Sequence, residues 1–259
     1  MSGWKFVKGA GSDSLVAVQF LTRIPIPNLP YDPNSLSRAV KFFPVVGLVI
    51  GSAAALLHQL LAPHLPRLVT ALLVIAFLVS ITGCLHEDGL ADTADGFGGG
   101  SNKEQVLAIL KDSRIGSYGG AALALSLLAR VLLLASLPLS QILQYLIAGH
   151  VLCRWTTLPL SYYLASARSP QDQAGAGQGA RIAKLTTIGT LIVGSIFTLA
   201  ICAFVLRTHV AAAIAATITV TLLSGLYYQR RIGGVTGDCF GATNQLTEIA
   251  VYLTGAWIA

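Results

Sequence analysis

The sequence is short of charge. Of its 259 residues, 11% are Asp, Glu, Lys or Arg, against roughly 25% in an ordinary soluble domain. So few charges cannot cover the surface of a soluble protein of this length. Acids are the scarcer sign, with 11 Asp and Glu against 17 Lys and Arg. Low charge combined with 54% hydrophobic residues also excludes disorder, which needs the opposite balance. The four cysteines, Cys84, Cys153, Cys202 and Cys239, stand far apart and form no CxxC pair. Such a scatter reads as packing rather than a disulfide frame or zinc site. The first residues, MSGWKFVKGAGSDS, lack the small-residue cleavage pattern of a signal peptide. No internal repeat is visible.

What the chain has instead is apolar length. The runs Phe43–Ala62, Leu68–Leu85, Gly119–Leu137, Ile142–Leu164, Thr186–Leu206 and Val210–Tyr228 are close to the ~20 residues that a helix needs to cross a bilayer. A shorter run, Leu246–Ala259, ends the chain. As a helix it rises about 21 Å, less than the ~30 Å hydrocarbon core, and is either a full span in a thinned region or a partial insertion. Leu15–Ile26 is broken by Pro25 and reads as an interfacial or buried helix. The expectation is an all-α, polytopic membrane protein. It has about seven transmembrane helices in a single domain, residues 1–259, and the lipid bilayer as its surroundings.

The basic residues supply an orientation. Thirteen of them lie in the N-terminal segment and in the second, fourth and sixth loops, and two lie in the other loops. The positive-inside rule then puts the N-terminus and those three loops in the cytoplasm. Topology thus accounts for the net charge of +6 without a nucleic-acid partner. The remaining two, Arg130 and Arg154, fall inside spans. A charge there costs at least about 2.5–3.5 kcal/mol on insertion scales. Each is expected to face a cavity, an aspartate or an anionic substrate.

Six of the 11 acids lie between Glu87 and Asp112. In HEDGLADTADGFGGG, His86–Gly100, the residues Asp88, Asp92 and Asp95 are spaced i, i+4, i+7 and share one face of a helix. At about 6 Å and an effective dielectric near 20, neighbouring carboxylates repel by roughly 3 kcal/mol. A solvated acidic turn avoids that cost in water. Beside an apolar span a divalent cation relieves it, and Mg²⁺ favours a few carboxylates together with water and phosphate oxygens. Gly98 and Gly99 follow, and a glycine-rich turn lets backbone N–H groups approach a phosphate; the alternative is a flexible connection. KDSRIGSYGG places Lys111, Asp112 and Arg114 at the entrance to the next span. They suit either a metal-bound diphosphate or an interfacial salt bridge. Asp238 stands among glycines in RRIGGVTGDCFGATNQ, where it is a turn residue unless the fold carries it to the first cluster.

Taken together these blocks resemble the cobalamin synthase (adenosylcobinamide-GDP ribazoletransferase) family. FLTRIPIP, FFPVVGLVIG, HEDGLADTADG, KDSRIGSYGG and GGVTGDCFGA occur in the family's order along the whole chain. The resemblance implies a bacterial inner-membrane enzyme of late cobalamin biosynthesis with its active site on the cytoplasmic side. It implies Mg²⁺ as cofactor, and adenosylcobinamide-GDP and α-ribazole or its 5′-phosphate as substrates. Adenosylcobalamin or its 5′-phosphate is formed and GMP is released. On that reading Asp88, Asp92 and Asp95 are the catalytic carboxylates and metal ligands, with Asp112 and Asp238 as further ligands. Lys111, Arg114, Arg130, Arg154, Gly98 and Gly99 are the candidates for holding substrate phosphates. The general base and the oligomeric state stay open. Two rival functions share some of these features. One is a membrane transferase for a CDP-alcohol or prenyl diphosphate. The other is an ion-coupled transporter, whose acids usually lie at mid-membrane in interrupted spans rather than beside a glycine-rich segment at an interface.

Overall fold

A computed structural model describes residues 9–26, 34–168, 182 and 186–258. Lys5, Lys8, Arg181 and Lys184 of the basic count lie outside the described residues, as does Pro27 of the first block. The described residues are helical, with one isolated bridge between Ser166 and Val235. Twelve α-helices follow in order: α1 (Ala10–Leu21), α2 (Ser35–Ala39), α3 (Phe43–Leu61), α4 (Arg67–Thr82), α5 (Leu85–Gly99) and α6 (Lys103–Ile109). Then come α7 (Ser117–Ser136), α8 (Ile142–Trp155), α9 (Thr157–Tyr163), α10 (Ile188–Leu206), α11 (Val210–Ile232) and α12 (Gly237–Ile258).

Among the described residues, three helical runs are long and apolar enough to cross a membrane: Ser35–Leu61, Ser117–Ser136 and Ile188–Ile232. The pair α4 and α5 makes a fourth if it is one bent span. The long run turns back on itself. In a straight helix Gly194 and Gly225 would be about 47 Å apart, yet Gly194 abuts Leu158 and Gly225 abuts Leu160, both on the short α9. The reversal is at Arg207, which has φ 51° and ψ −113°. The helices turn apolar side chains outward: Leu125, Leu128 and Leu132 of α7 and Leu222, Leu223 and Leu226 of α11 are each more than half exposed. This outward apolar surface is the arrangement expected of helices that meet lipid rather than water.

The bend after α4 is built locally. Cys84 donates its N–H to Val79 O at 3.0 Å and Gly83 donates to Ser80 O at 3.2 Å, the paired bonds of a Schellman ending. Gly83 and Cys84 both adopt left-handed φ, 63° and 60°. The chain leaves at 88° to α4, so α5 does not continue the path of the preceding helix. The acidic block is therefore a helix of its own, not a loop.

The C-terminal helix is longer than its apolar run suggests. It begins at Gly237, and its 22 residues rise about 33 Å. The early part escapes a hydropathy reading because its polar side chains point inward: Thr243, Asn244, Gln245, Thr247 and Glu248 are all nearly inaccessible. There Gln245 and Glu248 meet Arg130. Its Nη1 donates to Glu87 Oε1 at 2.7 Å and to Gln245 Oε1 at 2.9 Å, and its Nε donates to Glu248 Oε1 at 3.0 Å. Gln245 Nε2 closes the network on Glu87 Oε1 at 3.1 Å. One guanidinium thus ties α5, α7 and α12 together.

Arg154 is just as deeply buried, at 1% exposure, but its bonds are to neutral groups. It contacts His150 Nδ1 at 3.1 Å, the His150 carbonyl at 3.2 Å and Cys153 Sγ at 3.5 Å. The two arginines and the two glutamates make a buried set with no formal net charge. Arg130→Met strands Glu87 and Glu248 without their cation, and removing one partner of a buried pair costs about 3–5 kcal/mol. We expect a large fall in the melting temperature in detergent, and a smaller one for Arg154→Met, which strands no carboxylate. Equal falls would show that the Arg130 pairs carry no special share of the stability.

Candidate active site

The helix α5 divides its acids by direction. Glu87 points inward to Arg130 and is buried, Asp88 is exposed, Asp92 is half-buried and Asp95 is buried. The i, i+4, i+7 spacing does set Asp88, Asp92 and Asp95 along one helix, but the three environments differ. Asp95 is engaged by backbone. Gly116 donates its N–H to Asp95 Oδ2 at 2.6 Å, and Gly119 donates to Asp95 Oδ1 at 2.8 Å. These are orphan donors of the first turn of α7, and a carboxylate there also suits the positive end of the helix. A Cβ at either Gly116 or Gly119 would run into that carboxylate. Asp95 thus clamps the start of α7 to α5 and explains two glycines of GSYGG. Each oxygen keeps a second lone pair.

Asp238 arrives from the other end of the chain. Its helix α12 crosses α5 where glycine faces glycine. A Cβ at Gly89 would lie 2.9 Å from the Asp238 carbonyl oxygen, and one at Gly241 would lie 3.2 Å from Gly89 Cα. This close crossing puts the Asp238 carboxylate in electrostatic range of Asp88 and Asp92; the charges that bear on Asp92 are those of Asp88, Asp238 and Asp95. Thr236 caps α12. Its Oγ1 accepts the Cys239 N–H at 3.4 Å and donates to Asp238 Oδ2 at 3.2 Å. Arg168 lies 3.7 Å from the same oxygen.

Asp112 takes another course. In the loop between α6 and α7 it accepts from Arg114 Nε at 3.0 and 3.1 Å and from Nη2 at 2.6 Å. Those hydrogen bonds hold its carboxyl down at about 2. The structure thus makes Asp112 and Arg114 partners of each other, and Lys111 stands exposed beside them. The glycine-rich reading of Gly98 and Gly99 is corrected. They form the last turn of α5, so their N–H groups belong to the helix ladder and cannot cradle a phosphate. They are small because Tyr118 packs over Gly98, its Cγ 2.6 Å from where a Cβ would sit, and Ile109 packs over Gly99. Arg130 and Arg154 are also placed differently from the phosphate-holding expectation. Arg130 meets protein carboxylates, and Arg154 meets His150 and Cys153 while its buried Nε has no hydrogen-bond partner among the described residues.

Two donor sets deserve comparison as metal centres. Among the described residues, His150, Cys153 and Glu248 offer ligand atoms within 4.8 Å of one another. Two of the three already face cations, Glu248 Oε1 facing Arg130 and Cys153 Sγ facing Arg154, and His150 has Nδ1 against Arg154 and Nε2 against the Tyr252 hydroxyl. Asp88, Asp92 and Asp238 offer only oxygen, as a hard cation prefers. Among the described residues these three carboxylates do not come within 4.8 Å of one another.

Sequence reasoning missed Glu248, Gln245 and Arg168. Glu248 and Gln245 lie in a run read as a loop passing into a short apolar span. A period of three residues between two buried polar side chains was the available signal. Arg168 gave no signal beyond its charge.

Comparison with known proteins gives the family. The family model described as cobalamin-5-phosphate synthase matches residues 13–256. A protein of Shewanella frigidimarina named adenosylcobinamide-GDP ribazoletransferase is 40% identical over 245 residues, covering 92% of this chain and 91% of its own. Proteins with the same name from Sinorhizobium medicae and Vibrio cholerae are 42% and 36% identical, covering 91% and 92% of this chain and 92% and 91% of their own. No solved structure matches. With a family model matching residues 13–256 and relatives 36–42% identical over about nine tenths of both chains, the chain belongs to the cobalamin-5-phosphate synthase family.

Proposed function

We propose that this protein is a membrane-embedded transferase that joins adenosylcobinamide-GDP to α-ribazole or its 5′-phosphate, with release of GMP. The observation that carries the reading is the crossing of α5 and α12 at Gly89 and Gly241, which sets Asp238 beside Asp88 and Asp92. A cluster of oxygen donors on two helices suits a nucleoside diphosphate bound with a divalent cation. Asp88, Asp92 and Asp238 would hold Mg²⁺, with Asp95 braced behind them by the α7 backbone. When bound, Mg²⁺ offsets negative charge on the diphosphate oxygens.

The residues of the chain then do the following. A ribose hydroxyl of the acceptor attacks the phosphorus next to cobinamide, and the bond from that phosphorus to the GMP oxygen breaks. The hydroxyl proton passes to a carboxylate of the cluster that is not engaged as a ligand. Lys111 and Arg114, in the loop clamped through Gly116 to Asp95, would meet the departing nucleotide, Arg114 by exchanging Asp112 for phosphate. The rival transferases would use the same metal chemistry; the family match favours the corrinoid substrate. The transporter reading loses ground because the buried acids Glu87, in the first turn of α5, and Glu248, midway along α12, are both locked to Arg130.

The topology we infer has seven spans in one domain: α3, α4, α7, α8 with α9, α10, α11 and α12, with α5 along the cytoplasmic interface. It is supported by the reversal at Arg207, the 88° bend before α5, the length of α12, and the 13-to-2 basic asymmetry. It puts the N-terminus and the site on the cytoplasmic side of the bacterial inner membrane.

Two outcomes test these readings. Asp92→Asn removes GMP release from adenosylcobinamide-GDP and α-ribazole phosphate while the protein stays folded in detergent. Near-normal turnover at saturating substrate and Mg²⁺ would mean that the cluster is only a solvated face. In a background with the exposed Cys84 replaced by Ser, a cysteine at Ser101 reacts with an impermeant maleimide only from the cytoplasmic side. One at Ser140 reacts only from outside; the reverse pattern would overturn the orientation.

A further inference from the structure

Behind the carboxylate cluster, α5, α11 and α12 enclose a groove of about 450 Å³. Its walls include Thr93, Ala94 and Phe97 of α5, Leu223 and Tyr227 of α11, and Leu246 of α12. At about 100° per residue, those three positions of α5 are centred on the side of the helix opposite Asp88, Asp92 and Asp95. Leu223, Tyr227 and Leu246 are 63%, 45% and 43% exposed. The groove therefore opens sideways on the apolar outer surface, where lipid chains lie.

One mouth of the groove is basic. The Arg231 guanidinium lies 5.7 Å from the ring centroids of both Phe97 and Tyr227. Its Nη2 donates to Phe97 O at 3.1 Å and to Gly100 O at 2.7 Å, bonds that close the end of α5 and fix the charge at the mouth. Leu223, Tyr227 and Arg230 follow at i, i+4, i+7 along α11 and share one face. Lys103 joins them from α6, its Nζ 3.7 Å from where a Cβ would sit on Gly233, the residue that ends α11. Among the described residues Lys103 and Arg230 are exposed and in no ion pair. Against these three cations stands Glu104 in the first turn of α6, so the group stays positive.

One hydroxyl along the groove is left over. Thr93 is 8% exposed, and among the described residues its Oγ1 has no hydrogen-bond partner. Thr198, Thr217 and Thr221 donate theirs to the carbonyl four residues back, at 2.7 to 2.9 Å, the usual resort of a threonine inside a helix. Thr93 makes no such bond and so lacks an acceptor.

We propose that this groove binds an anionic glycerophospholipid. Its phosphate lies among Lys103, Arg230 and Arg231, an acyl chain runs along Ala94, Phe97, Leu223 and Leu246, and an ester carbonyl gives the Thr93 hydroxyl an acceptor to turn to. The topology inferred above sets this end of α11 at the cytoplasmic leaflet. Anionic headgroups gather there, each basic residue near the surface adds to their attraction, and basic pockets between helices take them. The chemistry selects the lipid class. Free phosphate would meet the cations and leave the apolar groove empty. A zwitterionic lipid would fill the groove but bring no net charge to the cations.

The test uses the full chain in detergent, where binding does not depend on membrane orientation. Dioctanoyl phosphatidylglycerol or dioctanoyl phosphatidylcholine is titrated in, and bound lipid is counted by native mass spectrometry. Wild type is expected to bind phosphatidylglycerol saturably, at a concentration about tenfold below that needed for phosphatidylcholine. The double variant Lys103→Gln, Arg230→Gln changes two exposed side chains. It is expected to bind phosphatidylglycerol about ten- to thirtyfold more weakly, with phosphatidylcholine unchanged. Ala94→Phe fills the groove and weakens both lipids. A thermal melt shows each variant folded, and the exposed double variant decides the matter alone if Ala94→Phe does not fold. Equal binding of the two lipids by wild type, or wild-type phosphatidylglycerol affinity in the double variant, overturns the proposal. A raised KM for adenosylcobinamide-GDP in Ala94→Phe, with phosphatidylglycerol binding unchanged, overturns it too and gives the groove to substrate.

Discussion

Everything in this protein's interior is arranged around one guanidinium that cannot be left uncompensated. Arg130 is 1% exposed on a helix whose outer face is leucine. A charge in that position persists only with partners, and it takes them from two other helices: Glu87 on α5 and Glu248 with Gln245 on α12. Such an arrangement is weak evidence for net stability, since desolvation consumes much of the attraction. It is strong evidence for register. Sliding α12 by one turn past α7 would separate Glu248 from Arg130 and leave that buried carboxylate without its cation, while Arg130 kept only Glu87. The cost of the wrong packing, more than the strength of the right one, keeps these helices aligned.

That register matters because α5 and α12 are also the helices that carry the site. Glu87 and Asp88 are neighbours in sequence that point to opposite environments, one to the buried guanidinium and the other to the open cluster. Fixing Glu87 fixes the rotation of α5, and with it the direction of Asp88 and Asp92. Fixing Glu248 sets the height of α12, and Asp238 lies on the same rigid helix. The glycines at the crossing then decide how near the two helices come. Asp95 completes the frame by binding the first N–H groups of α7. The acidic block thus divides its work along its length. Its inward residue sets register, its exposed and half-buried residues face the cluster, and its last aspartate secures the next helix.

Much of this was legible from the chain. Scarce charge and long apolar runs are properties of composition, and a bilayer leaves little choice but helices for such a chain. The acidic spacing survives as a helical pattern because α5 is a regular helix. Burial of Arg130 follows from its place inside an apolar run. The order of the five blocks pointed to the family before any contact was known.

The partners were not legible, because they depend on which helices touch. Sequence spacing says that Arg130 needs a countercharge, but Glu248 is 118 residues away and only the packing of α12 on α7 joins them. Gly98 and Gly99 read as a phosphate cradle from composition. In the fold they are the end of a helix under Tyr118 and Ile109, and glycine's smallness rather than its flexibility is what is used. For Asp112 the sequence left open a metal-bound diphosphate or a salt bridge, and the fold pairs it with Arg114. Asp238 looked like a turn residue until the glycine crossing delivered it to Asp88 and Asp92. By itself the sequence determined a helical membrane protein with an acidic helix of defined spacing, because those features are written in local periodicity and hydropathy. Only the tertiary structure decided which carboxylates pair, cap or cluster, because electrostatic roles are set by distances between helices that the order of residues does not contain.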